Sequence, residues 1–117
     1  MDQPLLTVIE TPAYLTKAAK LLISDEERAA IVSLIAADPT VGDLIKGTGG
    51  LRKVRIGFGG RGKRGGGRVI YFFHSERYPA ALLWVFAKNE ASDLTADQRA
   101  ILAREAEALV RDLGGRQ

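Results

Sequence analysis

Residues 46–68 are the part of the sequence that most restricts what this chain can fold into. This basic stretch reads KGTGGLRKVRIGFGGRGKRGGGR and holds eight of the seventeen Lys and Arg residues, ten of the thirteen glycines and no Asp or Glu. The remaining chain has nine basic and fourteen acidic side chains, so the net charge of +3 conceals a basic centre on an acidic body. A concentrated positive field of this kind attracts phosphate-rich polymers and speeds their capture.

Length and composition indicate a single domain over residues 1–117, with a modest core. The chain contains no cysteine, which excludes a disulfide scaffold and a cysteine-based metal site. The first residues, MDQPLLTVIETP, open with an acid and contain no long apolar run. We therefore expect neither a secretory signal nor a membrane span, and a cytoplasmic location.

Apolar patterns and capping signals predict an α+β domain with the element order βααβββα. Thr11 is predicted to cap the first helix, while Ser24 with Glu27, and Thr95 with Gln98, form capping boxes for the second and third. The predicted strands cover residues 5–10, 51–58, 68–74 and 80–88, and the predicted helices cover 12–22, 24–38 and 95–114. Residues 40–50 are expected to form a loop, with Val41, Leu44 and Ile45 packed inward.

The last three strands are joined by short connections, so we expect them to be antiparallel neighbours, with the last two central in the sheet. The two N-terminal helices form a hairpin that covers one face of this mostly antiparallel sheet, and a helix follows at the C-terminus. Side chains alternate along a strand, which places Val54, Ile56 and Phe58 under the hairpin. Lys53 and Arg55 then lie on the opposite face.

Two nucleotide-binding patterns occur by coincidence within the basic stretch. Gly57, Gly59 and Gly62 satisfy GxGxxG, and Gly57, Gly62 and Lys63 satisfy most of GxxxxGK[ST]. Both motifs need a helix after the loop, so that its N-terminus receives phosphate. Here a strand follows, and Arg64 stands where a Ser or Thr would bind magnesium. We reject both interpretations.

A basic patch on a sheet is first a binding surface, and it becomes catalytic only if it holds the phosphate that is cut. RNA cleavage by its own 2′-oxygen also needs a general base. His74 is the only histidine and more simply ends a strand. A deprotonated Lys, Tyr71 or Glu90 remain open as bases. One aromatic ring, Tyr71 or Phe86, is a candidate to stack on an unpaired base.

The segments LRKVRIG, GRVIYFFH and LLWVFAKNEASDLT, separated by a Gly/Lys/Arg loop, resemble the RelE/ParE superfamily of bacterial type II toxins, and most closely its HigB-like RelE branch. The resemblance covers roughly residues 5–110. It implies an mRNA interferase that cuts mRNA on the ribosome by attack of the 2′-hydroxyl, with no metal or cofactor. It also implies a cognate antitoxin as partner. We expect no membrane partner, and a free toxin that is a monomer or a weak dimer.

Site residues follow from the resemblance and from the basic stretch. The resemblance implies catalytic roles for Lys53, Arg55, Arg68 and Lys88, and RNA contacts from Lys63 and Arg64. The basic stretch and the polar run after the last strand add Arg52, Arg61 and Asn89 as RNA contacts. The chain has no tyrosine after Tyr78, unlike the best-known RelE pattern, which has one near the scissile phosphate. Two alternatives remain: a ParE-type inhibitor of DNA gyrase, and an RNA-binding module without catalysis.

Overall fold

Helices and strands follow one another in the order βααββββα within the part of the chain that the structure describes. The computed structural model describes residues 6–59 and 66–114. The strands are β1 (Val8–Glu10), β2 (Asp43–Leu44), β3 (Leu51–Ile56), β4 (Gly67–Phe72) and β5 (Ala80–Ala87). The helices are α1 (Pro12–Lys20), α2 (Asp25–Ala37) and α3 (Ala96–Gly114).

Within the described residues, the five strands form one mixed sheet in the order β1–β5–β4–β3–β2. β1 is parallel to β5, and the other three pairings are antiparallel. The prediction of an α+β domain is confirmed, and so is the placement of β4 and β5 inside the sheet.

The prediction that residues 40–50 form only a loop is wrong, because this segment contains the short strand β2. Asp43 lies opposite Lys53 and Leu44 opposite Arg52, so β2 adds an edge to the sheet beside β3. The inward packing expected for this segment holds only for Ile45, since Val41 is 38% exposed and Leu44 is 59% exposed. A two-residue strand is too short for side-chain alternation to appear in the sequence.

All three predicted helix caps are confirmed by hydrogen bonds. The Thr11 hydroxyl accepts from the backbone N–H of Tyr14, and Ser24 and Glu27 exchange the two bonds of a capping box. The hydroxyl of Thr95 and the side-chain oxygen of Gln98 make the same exchange at the start of α3. These caps satisfy backbone N–H groups that the first turn of a helix leaves unpaired.

The hairpin of α1 and α2 covers one sheet face, as predicted. Tyr14 and Ala18 from α1, and Ile31 and Ile35 from α2, are buried in a cluster that also contains Ile56, Val69 and Tyr71 of the sheet and Phe58, which follows β3. Burying each large apolar side chain contributes roughly 1.5–3 kcal/mol.

The first helix was predicted to extend to residue 22, and this bound is wrong, because α1 ends at Lys20. Leu22 is 84% exposed and has a left-handed backbone conformation, with φ of 61°. The reason is that α1 ends at Lys20, and the chain must turn sharply to reach the Ser24 cap.

The second face of the sheet is divided between two kinds of side chain. Leu102 and Ala106 of α3 pack against one end of it, in a cluster with Leu51, Ile70 and Phe72. Towards the other end, the same strands carry Lys53, Arg55 and Arg68. No helix within the described residues is long and apolar enough to cross a membrane.

Two glycines let backbone segments approach closely at this basic end. A Cβ at Gly66 would collide with the carbonyl oxygen of Ile56, and one at Gly67 would collide with that of Phe86. The glycines before Arg68 therefore allow β4 to enter between β3 and β5. Part of the glycine in the basic stretch is a packing requirement.

Candidate nucleic-acid interface

Arg55 and Arg68 lie directly opposite each other on β3 and β4. Residues so paired in an antiparallel sheet have Cβ atoms about 4.5–5.5 Å apart, and like charges at that separation are destabilising. Arg55 is exposed, and Arg68 is half-buried with its Nη1 donating to the carbonyl oxygen of Gly67 at 3.1 Å. Among the described residues neither arginine forms an ion pair. An anion between the two guanidinium groups would relieve their repulsion.

Lys53 extends the positive charge towards the edge of the sheet. It lies opposite Ile70 on β4 and opposite Asp43 on β2, so it is the diagonal neighbour of Arg68 on the same face. Its Nζ is 3.2 Å from Oδ2 of Asp93, and the two side chains are 35% and 44% exposed. Ion pairs this exposed contribute at most about 1 kcal/mol. A bound phosphate can therefore draw Lys53 away from Asp93 at little cost.

These side chains line one open groove of about 630 Å³ on the sheet surface. Its walls include Val41 and Asp43 beside β3, Lys53 and Arg55 on β3, Arg68 on β4, and Ser92 in the segment before α3. The arrangement resembles what a phosphodiester requires: clustered cationic donors, with guanidinium groups that bind phosphate oxygens in pairs.

The segment before α3 places the carboxylate of Asp93 beside the groove, where it forms an ion pair with Lys53. Burial acts to raise the pKa of Asp93, but the N–H of Leu94, the ammonium of Lys53 and the charge of Arg99 outweigh it and lower that pKa. The Leu94 N–H donates to Oδ1 at 2.8 Å. Asp93 is therefore an ionised carboxylate with both oxygens engaged.

Arg52, which the sequence predicts as an RNA contact, lies outside the groove. It lies on the hairpin face of β3, where its Nη1 donates to the carbonyl oxygen of Gly42 at 2.8 Å. A second contact reaches the carbonyl oxygen of Thr40 at 3.5 Å. Alternation along β3 separates it from Lys53, and its role in the described structure is to hold the segment that leads into β2.

Neither aromatic ring predicted to stack on a base is available for stacking. Tyr71 is fully buried, and Phe86 is 3% exposed. The Tyr71 hydroxyl donates to the carbonyl oxygen of Pro39 at 2.7 Å and accepts from the N–H of Gly42 at 2.9 Å. Burial raises the pKa of Tyr71, which also removes it as a general base near neutral pH.

The polar run after β5, residues 88–90, contains side chains with different roles. Lys88 and Asn89 are exposed. The backbone N–H of Lys88 donates to the carbonyl oxygen of Gly66 at 3.0 Å. Lys88 follows two residues after Phe86, which lies opposite Arg68, so it stands at the basic end of the sheet.

Glu90, by contrast, stabilises the fold. Its Oε1 accepts from Nζ of Lys17 at 2.7 Å and from the N–H of Ala87 at 2.9 Å. These two hydrogen bonds lower the pKa of Glu90. The Lys17 ammonium also lies 4.5 Å from the ring centroid of Trp84. Glu90 thereby fastens the end of β5 to α1, and a carboxylate so engaged is a poor base.

The other sequence-predicted candidates lie away from this groove or outside the described part. His74 follows β4 at the end opposite to Arg68, with its ring stacked on Phe72 at a centroid distance of 6.2 Å. It stands six positions after Arg68 along the chain, which in extended conformation corresponds to at most roughly 20 Å. Arg61, Lys63 and Arg64 lie outside the described residues.

Two groove residues did not emerge from the sequence, Asp43 and Ser92, and neither did Asp93, the partner of Lys53. Asp43 would have been found only if the two-residue strand β2 had been recognised, since its pairing places it beside Lys53. Ser92 and Asp93 stand just before the Thr95 cap, so the sequence around them indicates the start of a helix and not a phosphate site.

The chain matches no protein-family model. Within residues 6–59 and 66–114, no three His, Cys, Asp or Glu side chains are grouped closely enough to bind one metal ion together.

Proposed function

We propose that this chain is the toxin of a bacterial type II toxin–antitoxin system, a RelE-like endoribonuclease of the HigB-like branch that cuts mRNA on the ribosome. The observation that carries the proposal is the pairing of Arg55 with Arg68 on an open sheet face, with Lys53 diagonal to Arg68. Three cationic side chains on one exposed face suit a substrate with closely spaced negative charges. The α+β order and the antiparallel arrangement of β3, β4 and β5 agree with the RelE-like pattern that the sequence resembles.

In the proposed reaction, the scissile phosphate binds between the guanidinium groups of Arg55 and Arg68. Negative charge grows on the phosphate oxygens as the 2′-oxygen attacks phosphorus, and fixed positive groups stabilise that charge without reorganising. Lys53 is close enough to neutralise the same phosphate or its neighbour. Exposed Lys88 is placed to hold the RNA as it leaves the sheet.

Partners follow from the same proposal. The ribosome would present mRNA in an extended, single-stranded form that fits an open groove better than a duplex does. A cognate antitoxin would inhibit the toxin by covering the groove, and an acidic segment would complement its charge. These partners can be tested independently of cleavage by co-purification with the product of a neighbouring gene.

The test is cleavage of mRNA by the purified chain, with and without ribosomes. Wild type is compared with the double variant Lys53→Ala/Arg68→Ala. A matched control, Lys20→Ala/Arg104→Ala, removes the same charge from two exposed positions on α1 and α3. We expect cuts that require the ribosome, persist in the control and disappear in the groove variant.

Two other outcomes would assign a different function. No cleavage by the folded wild type in either condition, together with inhibition of DNA gyrase, would replace the proposal with a ParE-type toxin. RNA binding that depends on Lys53 and Arg68 without any cleavage would indicate a non-catalytic RNA-binding module.

A further inference from the structure

Asp43 is the acidic residue that β2 contributes to the groove. It is exposed, lies opposite Lys53 in the sheet and lines the same groove as Arg55 and Arg68. Within the described part of the chain, its carboxylate forms no ion pair and accepts no side-chain hydrogen bond. A solvated carboxylate beside a cationic phosphate site is free to accept a proton from a ligand.

We propose that Asp43 is the general base of the groove and removes the proton of the attacking 2′-hydroxyl. This inference rests on the proposed endoribonuclease function. It adds a catalytic residue that is not among the bases suggested by the sequence.

The spacing of the strands suits this role. Asp43 is the diagonal neighbour of Arg55 across the β2–β3 pair, which corresponds to a Cβ separation of about 7–8 Å. A ribose whose 3′-phosphate is held by Arg55 and Arg68 can place its 2′-oxygen in that gap. A general base must come within roughly 2.6–3.2 Å of the oxygen that it deprotonates.

Other candidate bases are engaged elsewhere. Both oxygens of Asp93 accept hydrogen bonds, from Leu94 and Lys53. Glu90 is bound by Lys17 and by the N–H of Ala87. Tyr71 is buried beneath the opposite face of the sheet.

The atoms balance as follows. An oxygen of the Asp43 carboxylate takes the 2′-hydroxyl proton, and the 2′-oxygen forms a bond to phosphorus. The bond between phosphorus and the 5′-oxygen of the next nucleotide breaks, and its electron pair stays on that oxygen, which takes a proton from water. The products are a 2′,3′-cyclic phosphate and a 5′-hydroxyl, and Asp43 returns its proton to solvent.

Several charged groups surround Asp43. Lys53 and Arg55 face it from β3, Arg68 lines the same groove from β4, and Asp93 lies on the far side of Lys53.

The experiment measures single-turnover cleavage of a ribosome-bound mRNA at neutral pH. Asp43→Asn should cleave on the order of 100-fold more slowly, because an amide cannot accept the proton of the 2′-hydroxyl. Asp43→Glu, which keeps a carboxylate, should recover part of the lost rate. Asp112→Asn, the same change at an exposed position near the end of α3, should behave like wild type. Binding of an mRNA with a 2′-O-methyl group at the cut site should survive in Asp43→Asn.

Three results would overturn the inference, and they can be told apart. Cleavage by Asp43→Asn within a few-fold of wild type would reject Asp43 as base and leave the endoribonuclease function standing. A slow Asp43→Asn that also fails to bind the methylated mRNA would assign Asp43 to binding. No cleavage by wild type would reject the function, and the inference with it.

Discussion

The two ends of one sheet face show how the same strands can serve stability and function. At one end of β4, Ile70 and Phe72 are buried under α3 together with Leu102. At the other end, two residues before Ile70, Arg68 meets Arg55 across the strands in an open groove. The same paired strands run through both ends, with a shift of the β4–β5 register between Ile70 and Tyr71. The two ends differ in which side chains the helix covers.

On this face of the sheet, the apolar core ends where the cover of α3 ends. Apolar side chains gain free energy by burial beneath it, whereas paired arginines gain nothing from facing each other. Arg55 and Arg68 oppose each other without an ion-pair partner among the described residues, which is better explained by an external anion than by folding. Substitutions at the two ends test this division.

The largest effect should come from the covered end. Ile70→Ala removes a fully buried side chain and should lower the free energy of unfolding by roughly 2–5 kcal/mol, because a cavity remains beneath α3. Denaturant unfolding measures this loss. Ile101→Ala, at a position that is 49% exposed, is the control and should cost much less. A loss below about 1 kcal/mol for Ile70→Ala would mean that this end is not a core.

A smaller effect should appear in the salt dependence of RNA binding at the open end. Each phosphate contact adds about 0.7 to the slope of log affinity against log salt for a single strand. Removing Lys53 and Arg55 together should therefore reduce the slope by roughly 1.4. Fluorescence anisotropy with an uncleavable RNA measures it, and Lys20→Ala/Arg104→Ala should keep the wild-type slope. An unchanged slope in the groove variant would remove the groove from the RNA interface.

The smallest effect concerns the link between the hairpin and the basic end. Glu27 completes the α2 capping box and also accepts from the N–H of Gly59 at 2.7 Å. Hydrogen bonds from the backbone N–H groups of Ser24 and then Gly59 lower the pKa of Glu27 below 4.5. A depressed pKa stabilises the fold above the unfolded-state value, and this contribution is lost as the pH falls through the folded value.

The melting temperature of wild type should therefore fall more steeply than that of Glu27→Gln between about pH 5 and pH 3. Thermal unfolding followed by circular dichroism measures both. Glu26→Gln, at the exposed neighbouring position, should keep the wild-type pH dependence. Parallel curves for wild type and Glu27→Gln would show that the two hydrogen bonds to Glu27 do not persist in solution.

Much of the fold could be predicted because its signals are local. A capping box is four residues long, so Ser24 with Glu27 and Thr95 with Gln98 identified their helices directly. Alternation over six residues of β3 correctly separated Lys53 and Arg55 from Val54 and Ile56. The predicted strand bounds differ from the observed ones by up to three residues, since pairing ends where the partner strand ends.

The errors came from contacts between distant parts of the chain. Tyr71 was a candidate for the RNA surface, but its hydroxyl finds partners at Pro39 and Gly42, about thirty positions earlier. A Cβ at Gly42 would meet the Tyr71 ring at 2.8 Å, so the glycine and the buried tyrosine depend on each other. Nothing local in the sequence reveals that dependence, and β2 with Asp43 was missed for the same reason.

The most direct test measures folding stability and mRNA cleavage on one preparation of Arg68→Ala. We expect the free energy of unfolding to change by less than about 1 kcal/mol, or to rise at low salt as repulsion from Arg55 is relieved. Ribosome-dependent cleavage should fall on the order of 100-fold, as expected when a donor to the developing phosphate charge is removed. A loss of folding stability large enough to explain the loss of cleavage would contradict this interpretation and would assign Arg68 a structural role.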